Sequence, residues 1–250
     1  MDAQGPRSRL LRPRQGRDDS SPSWQVEEAL LQEADDRRPQ WIIGCDEVGR
    51  GCLAGPVMVG ACLFRAEDIP LLPIPAGLKD SKLLTPKKRE SLLDPLRAWA
   101  AGTAVGSCDN RGIDSYGIME ALGAAAIQAI DQAVFGLIGA GDRVAVILDG
   151  PYDYISPAFR SLLAPQARID PDDMTVTTVV KGDRRCACVA GASVIAKVIR
   201  DRYMVDLADR HPEWEAYAWR KNKGYGSAEH REAIKEQGPS PYHRLSWHLV

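Results

Sequence analysis

Long apolar runs are missing from this 250-residue chain: none approaches the length of a membrane span, and the arginine-rich start has no apolar signal core. The expectation is a cytoplasmic protein with no membrane partner. Histidine is scarce, and all four copies lie at position 211 or later, far from the cysteines at 45, 52, 62, 108, 186 and 188. No CxxC pair occurs, and Cys186-x-Cys188 has no second pair to complete a zinc site. Small buried thiols in a reducing compartment are the simpler reading. Net charge is lacking too: 32 basic against 34 acidic residues leave −2, no whole-molecule pull on nucleic acid. Any nucleic-acid surface must be local.

What is present is enough apolar material, 44% of residues, for one large domain or a domain with an appendage. Residues 1–22 are rich in Arg, Ser, Pro and Asp and are read as a disordered tail. Residues 23–39 hold a short helix and a linker, with Trp24, Val26, Leu30 and Leu31 on one side of the helix. Residues 40–209 carry strand patterns at 41–46, 57–64, 103–108, 144–148 and 174–180. The nearly all-apolar run at 144–148 marks a buried central strand. Helices are expected from the Thr85 cap and Pro86 towards Ala100, with a kink or break at Asp94-Pro95, and over 116–135 and 189–208. Residues 210–250 gather Trp, Tyr, His and basic side chains into a small helical appendage. The sum is an α/β fold: a mixed five-stranded sheet with flanking helices.

One grammar repeats in that core: an apolar strand, then an acid with glycine nearby. It occurs at Asp46-Glu47, at Asp149-Gly150 and at Gly182-Asp183. Ligands of open α/β sheets gather outside strand ends, so acids far apart in sequence can converge there. Converging carboxylates repel and raise one another's pKa, which a divalent cation relieves. Oxygen donors without nearby Cys or His point to Mg2+ or Mn2+. Successive strand side chains face opposite ways, so Asp46 and Glu47 can enter one site only if the strand twists, bulges or ends at Glu47. The loop that follows, Gly49-Arg50-Gly51, suits close approach to a sugar or phosphate.

Further motifs follow in order: Asp80-Ser81-Lys82, Leu148-Asp149-Gly150, Lys181-Gly182-Asp183, and Ala192-Ser193-x-Ile195-Ala196-Lys197-Val198-x-Arg200-Asp201. Lys223-Gly224-Tyr225-Gly226-Ser227-x-Glu229-His230 and His243-Arg244-Leu245-Ser246 complete the set. With Asp46-Glu47-Val48-Gly49-Arg50-Gly51, this series closely resembles bacterial ribonuclease HII, the type 2 ribonuclease H, over about residues 40–248. Ribonuclease HIII fits less well, because that family has a different loop after its Asp-Glu pair and an extra N-terminal binding domain. The resemblance implies a ribonuclease H-like fold and a two-metal site on Asp46, Glu47, Asp149 and Asp183, filled by Mn2+ or Mg2+. It implies an endonuclease that cuts 5′ of ribonucleotides in RNA–DNA hybrids, and at single ribonucleotides in duplex DNA, leaving 3′-hydroxyl and 5′-phosphate ends. Ribonucleotide excision and RNA-primer removal would be its roles.

The same resemblance assigns 2′-hydroxyl reading to Gly49, Arg50 and Gly51 and sugar stacking to Tyr225. Lys82 and Lys181 are candidate phosphate contacts. Ser193 and Lys197 share a helix face and are candidates for a supporting role, while Arg220, Lys221 and Lys223 form a basic patch for the duplex backbone. Some positions depart from the family pattern: Gly117, Gly191, Asn222 and Trp247. Two other readings stay open: a non-catalytic binder of hybrid or junction duplexes, and a nuclease of the same superfamily with a different substrate. Nothing in the sequence calls for obligate association, so a monomer is expected, and no replication partner is identified.

Overall fold

A mixed sheet in the order β1-β6-β5-β2-β3-β4 organises the molecule. The structure, a computed structural model, describes residues 7–11, 21–33, 38–161 and 167–250. Its strands are β1 (Arg7–Leu11), β2 (Trp41–Val48), β3 (Val57–Arg65), β4 (Gly102–Cys108), β5 (Val144–Asp149) and β6 (Met174–Val179). The helices are α1 (Gln25–Glu33), α2 (Pro86–Trp99), α3 (Asn110–Tyr116), α4 (Ile118–Ala133), α5 (Ile155–Ala158), α6 (Gly182–Arg185), α7 (Ala187–Arg210), α8 (Trp219–Asn222) and α9 (Ala228–Gln237). Strands β2, β3 and β4 form an antiparallel meander, while β2, β5, β6 and β1 run parallel.

Alternation along β2 divides the core. Ile42 packs into the layer under α1, α2 and α7, whereas Trp41, Ile43 and Cys45 pack under α4 and α5. Strand β5 follows the same rule, with Ile147 on the α7 side and Val146 and Leu148 on the α4 side. Helix α7 lies directly on the backbone of the sheet. A Cβ on Gly44 would sit 2.2 Å from the Cys188 carbonyl carbon, and one on Gly60 would sit 2.4 Å from the Ala192 oxygen. Those two glycines set the depth at which α7 lies across the strand ends.

Two expectations need correction, and one element needs adding. The sheet has six strands rather than five, because Arg7–Leu11, inside the segment read as a disordered tail, pairs in parallel with β6. A run of Arg, Ser and Leu has no core pattern of its own, but β6 offers an unpaired edge for backbone hydrogen bonds. Residues 1–6 and 12–20 of that segment lie outside the described residues. Next, α2 runs unbroken through Pro95. Pro95 and Ser91 both face solvent, so water can take the carbonyl that proline leaves without a donor. Lastly, the helix expected over 116–135 is α4, and a short helix without a sequence expectation, α3, precedes it, parted from it at Gly117 with φ +85°.

The C-terminal segment is knitted into this frame. Its Tyr217, Trp219, Ala233 and Ile234 pack with Leu53 and Ala54 of the glycine loop and with Met204 and Leu207 of α7. Among the described residues, no helix is long and apolar enough to cross a membrane.

Candidate active site

Strand register brings the acids together. The parallel pairing of β2 with β5 ends at Cys45 opposite Leu148, so Asp46 and Asp149 occupy the next rung. By parity both belong to the α7 side of the sheet. Asp149 pairs with Val179, and four residues beyond Val179 the first turn of α6 delivers Asp183. One carboxylate oxygen from each of Asp46, Asp149 and Asp183 lies within 4.8 Å of the others.

Glu47 is placed differently. The expected distortion of β2 does not occur, because regular pairing with β3 continues through Glu47–Val59 and Val48–Met58. Glu47 therefore projects to the other face, next to the three aspartates but outside their cluster. There its Oε2 accepts from the buried Tyr154 hydroxyl at 3.3 Å, and its Oε1 faces Arg50 Nη1 at 3.4 Å.

The clustered acids are held above the usual carboxylate range. Burial is the main cause for Asp46, and the charges of Asp149 and Glu47 add to it. Burial and then Asp149 push Asp183 up to about 6, against the pull of Lys82. Asp149 is raised by burial and Glu47, although the Gly182 amide donates to it at 2.6 Å. Burial alone would lower Lys82, but the carboxylates of Asp183, Asp46 and Asp80 outweigh it and raise the ammonium. Lys82 Nζ lies 3.3 Å from Asp183 Oδ2, and its side chain is 71% exposed. One solvated lysine does not balance three clustered carboxylates. The donor set is all oxygen, so it suits a hard divalent cation.

The turn that carries Lys82 is braced from below. Asp80 accepts from the Lys82 amide (2.8 Å) and from Arg184 Nε (3.0 Å). Ser193, a supporting candidate in the sequence, is buried and donates its hydroxyl to Ser81 Oγ at 2.8 Å. Arg89 donates to the carbonyls of Ser81 and Leu84. Lys197 bonds Asp201 at 2.7 Å and lies 5.5 Å from the centre of the Tyr225 ring. Lys181 is exposed at φ +58°, just before α6. The basic patch is less free than its sequence suggests, since Arg220 pairs with Asp209 and Lys221 with Glu229. A groove of about 560 Å³ runs past Arg89, Lys197, Lys221 and Lys223 to Tyr225.

Gly49, Arg50 and Gly51 turn the chain out of β2. Gly49 has φ +83°, and a Cβ there would lie 2.1 Å from Arg200 Nε. Beneath this loop sit two buried guanidiniums that sequence reading left without a role. Arg200 donates to the carbonyls of Pro56 (2.9 Å), Lys223 (2.9 Å) and Ala54 (3.3 Å). Arg244 donates to Gly49 (2.7 Å), Arg50 (2.8 Å) and Gly55 (3.1 Å). For Arg200 alone a signal existed, helical periodicity, since Ser193, Ala196, Arg200 and Met204 share the buried stripe of α7; Arg244 lies in a loop and has none. A bridge from Cys52 to Tyr225 and a bond from the Leu53 amide to the Gly224 carbonyl (2.8 Å) tie the loop to the tyrosine. Asn222 builds that turn, accepting from the Gly224 amide at 2.8 Å and donating to the Tyr217 carbonyl at 2.7 Å. Tyr225 itself is 40% exposed.

Helices on both faces of a mixed sheet, with clustered carboxylates at the ends of its central parallel strands, define the class as a ribonuclease H-like nuclease. Comparison with known proteins narrows it. Residues 43–250 match the family model described as Ribonuclease HII. The ribonuclease HII of Streptomyces avermitilis is 42% identical over 206 residues, covering 82% of this chain and 76% of that protein. That of Roseiflexus castenholzii is 38% identical, covering 82% and 81%. The crystal structure of ribonuclease H2 from Pyrococcus horikoshii superposes with a TM-score of 0.62 at 27% identity, covering 84% of this chain and 94% of that one. Bst-RNase HIII, solved in complex with Mn2+, shares the fold with a TM-score of 0.66 at 19% identity, over 94% and 74% of the two chains. The chain belongs to the ribonuclease HII family and is a ribonuclease H endonuclease.

Proposed function

We propose that the protein nicks DNA duplexes at embedded ribonucleotides, cutting on the 5′ side and leaving 3′-hydroxyl and 5′-phosphate ends. RNA–DNA hybrids are substrates of the same site, and ribonucleotide excision and RNA-primer removal are its roles in the cytoplasm. The observation that carries this reading is the convergence of Asp46, Asp149 and Asp183 within 4.8 Å, beside a glycine turn held to Tyr225. The three aspartates, with Glu47 at their edge, would hold two divalent cations, Mg2+ or Mn2+. Such cations polarise the scissile phosphate, activate a water and stabilise the leaving 3′-oxygen.

The chain's own residues do the rest. Burial of Asp46 and Asp183, with Asp149 half-buried between them, limits how far water screens their charge, and the Gly182 amide holds the Asp149 carboxylate at 2.6 Å. Lys82, mostly exposed and already beside Asp183, is placed to meet a phosphate oxygen. The Gly49-Arg50-Gly51 turn offers backbone donors to a 2′-hydroxyl, which both donates and accepts. Tyr225, 40% exposed, would offer its ring to the adjoining sugar. The groove past Lys197 and Lys223 follows the strand backbone, a contact that weakens as salt rises.

The direct test is incubation with Mg2+ or Mn2+ and a DNA duplex bearing one ribonucleotide. A single nick 5′ of the ribonucleotide is expected. No nick, or equal nicking of an all-DNA duplex, overturns the reading, and tight binding without cleavage points instead to a non-catalytic binder.

A further inference from the structure

The His243-Arg244-Leu245-Ser246 motif has no part in the reading above, yet its arginine is fully buried beneath the glycine turn. The segment is clamped in place by α3. Asn110 Nδ2 donates to the His243 carbonyl at 3.0 Å, and Asp114 accepts from the amides of Leu245 (2.9 Å) and Ser246 (3.0 Å). The Arg244 amide donates to the Leu53 carbonyl at 2.9 Å, and the Trp247 ring lies 4.9 Å from the guanidinium carbon. The side chain therefore has a fixed origin and a fixed aim.

That aim has a stereochemical consequence. Every peptide here is trans, and in a trans peptide the carbonyl and the following amide point in opposite directions. Arg244 draws the carbonyls of Gly49 (2.7 Å) and Arg50 (2.8 Å) inward, so the amides of Arg50 and Gly51 turn outward. Among the described residues neither amide donates a hydrogen bond. A Cβ built on Gly51 would meet nothing within 4 Å, so the approach to these donors is open. Two adjacent free amides on a glycine turn form a receptor for an oxygen atom.

We propose that Arg244 is a specificity-determining positioning residue: it aims the Arg50 and Gly51 amides at the ribose 2′-oxygen. This rests on the endonuclease reading above and adds the buried group that sets the loop. Lysine in its place keeps the charge but lacks the planar fork that spans the carbonyls of Gly49, Arg50 and Gly55. The amides would then lose their common aim, while the carboxylates at the strand ends stay as they are.

The test compares wild type with Arg244→Lys in Mg2+. Preference is read as the inhibition constant of an all-DNA duplex divided by the KM for the same duplex bearing one ribonucleotide. We expect Arg244→Lys to lower that ratio about tenfold, the loss of one or two well-made hydrogen bonds. Mn2+ binding, followed by calorimetry, should be unchanged. A residue that only supports the fold would lower Tm and leave the ratio alone, and a folded variant with wild-type preference overturns the proposal. If Arg244→Lys does not fold, amide exchange on the full wild-type chain in EDTA decides. The Arg50 and Gly51 amides should exchange freely alone and gain protection from the ribonucleotide duplex but not from the all-DNA duplex. Protection in the free protein, or equal protection by both duplexes, sinks the idea. Failure of the parent reading looks different, because wild type itself would then leave the ribonucleotide duplex uncut.

Discussion

Charge of one sign is gathered into each of two clusters near the end of β2, acidic in one and basic in the other, and the fold treats them in opposite ways. Arg200 and Arg244 are both fully buried, and carbonyl oxygens of the loop and its neighbours take up their donors. Asp46, Asp149 and Asp183 receive less: Ser193 beside Asp46, the amides of Gly182 and Asp183 at Asp149, and the solvated Lys82 for Asp183. Burying a charge costs several kcal/mol unless hydrogen bonds replace its water, so the first cluster is answered more fully within the fold than the second, whose like charges still raise one another. The satisfied cluster shapes a loop. The less satisfied one is where, on the proposed function, a cation and a phosphate would complete the structure.

The largest break in this comparison comes from the acid side. Asp149→Asn should lower nicking of a ribonucleotide-bearing duplex by at least about a thousandfold, or ~4 kcal/mol of barrier. It should not lower Tm, because the carboxylate it removes is held above its ordinary pKa range by burial. Wild-type turnover in this variant would remove Asp149 from the site.

The matching change on the basic side should invert that pattern. Arg200→Met strands the carbonyls of Ala54, Pro56 and Lys223, and denaturant melts should read a loss of about 3–5 kcal/mol. A variant as stable as wild type would mean that these carbonyls find water, and that the guanidinium platform is not structural.

Acidity tests the difference without moving Arg200 or Arg244. Asp183 titrates near 6 in the fold rather than at 3.8, mainly through burial and then the Asp149 charge. A raised carboxyl favours the fold fully below its ordinary pKa, and that favour is lost as pH rises through the folded value. In chelator, ionised Asp183 should therefore cost about 3 kcal/mol at neutral pH, with the change falling between about pH 4 and 6. The His230–His243 pair runs the other way. Burial lowers both rings, His243 to about 4, so their contribution is present above about 6.5 and lost as pH falls towards 4. The acid contribution is read as the stability of Asp183→Asn minus that of wild type across this window. A difference that does not grow with pH would show that burial and the Asp149 charge do not raise Asp183.

Much of the acid cluster was legible because strand ends are legible. Apolar runs stopping at Asp46 and Asp149, and a glycine before Asp183, place carboxylates at the edge of a parallel sheet before any coordinate is known. The guanidinium platform was not. Arg200 lies on a helix and Arg244 in a loop, where charged side chains usually meet solvent, and their partners are carbonyls that leave no mark in the sequence. The bulge expected in β2 at Glu47 is absent, because regular pairing with β3 continues past it and turns Glu47 to the other face, where it borders the cluster without joining it. Strand β1 was missed for a related reason: its pairing answers the free edge of β6 and not any pattern of its own.

Glu47 is where the two clusters meet, and it gives the smallest effect. Its Oε1 faces Arg50 of the glycine turn at 3.4 Å, and its Oε2 accepts the Tyr154 hydroxyl at 3.3 Å. Arg50 is partly exposed and can leave with the substrate, whereas Tyr154 is buried beside Ile155 and Leu148 and stays. Carboxylates that ligate metals are steadied by such outer hydrogen bonds. Tyr154→Phe removes one long bond and no packing, worth about 0.5–1.5 kcal/mol. Calorimetric Mn2+ affinity should weaken by roughly two- to tenfold with Tm near that of wild type. An unchanged affinity would mean that β2 alone holds Glu47, and that the hydroxyl only fills its own need for an acceptor.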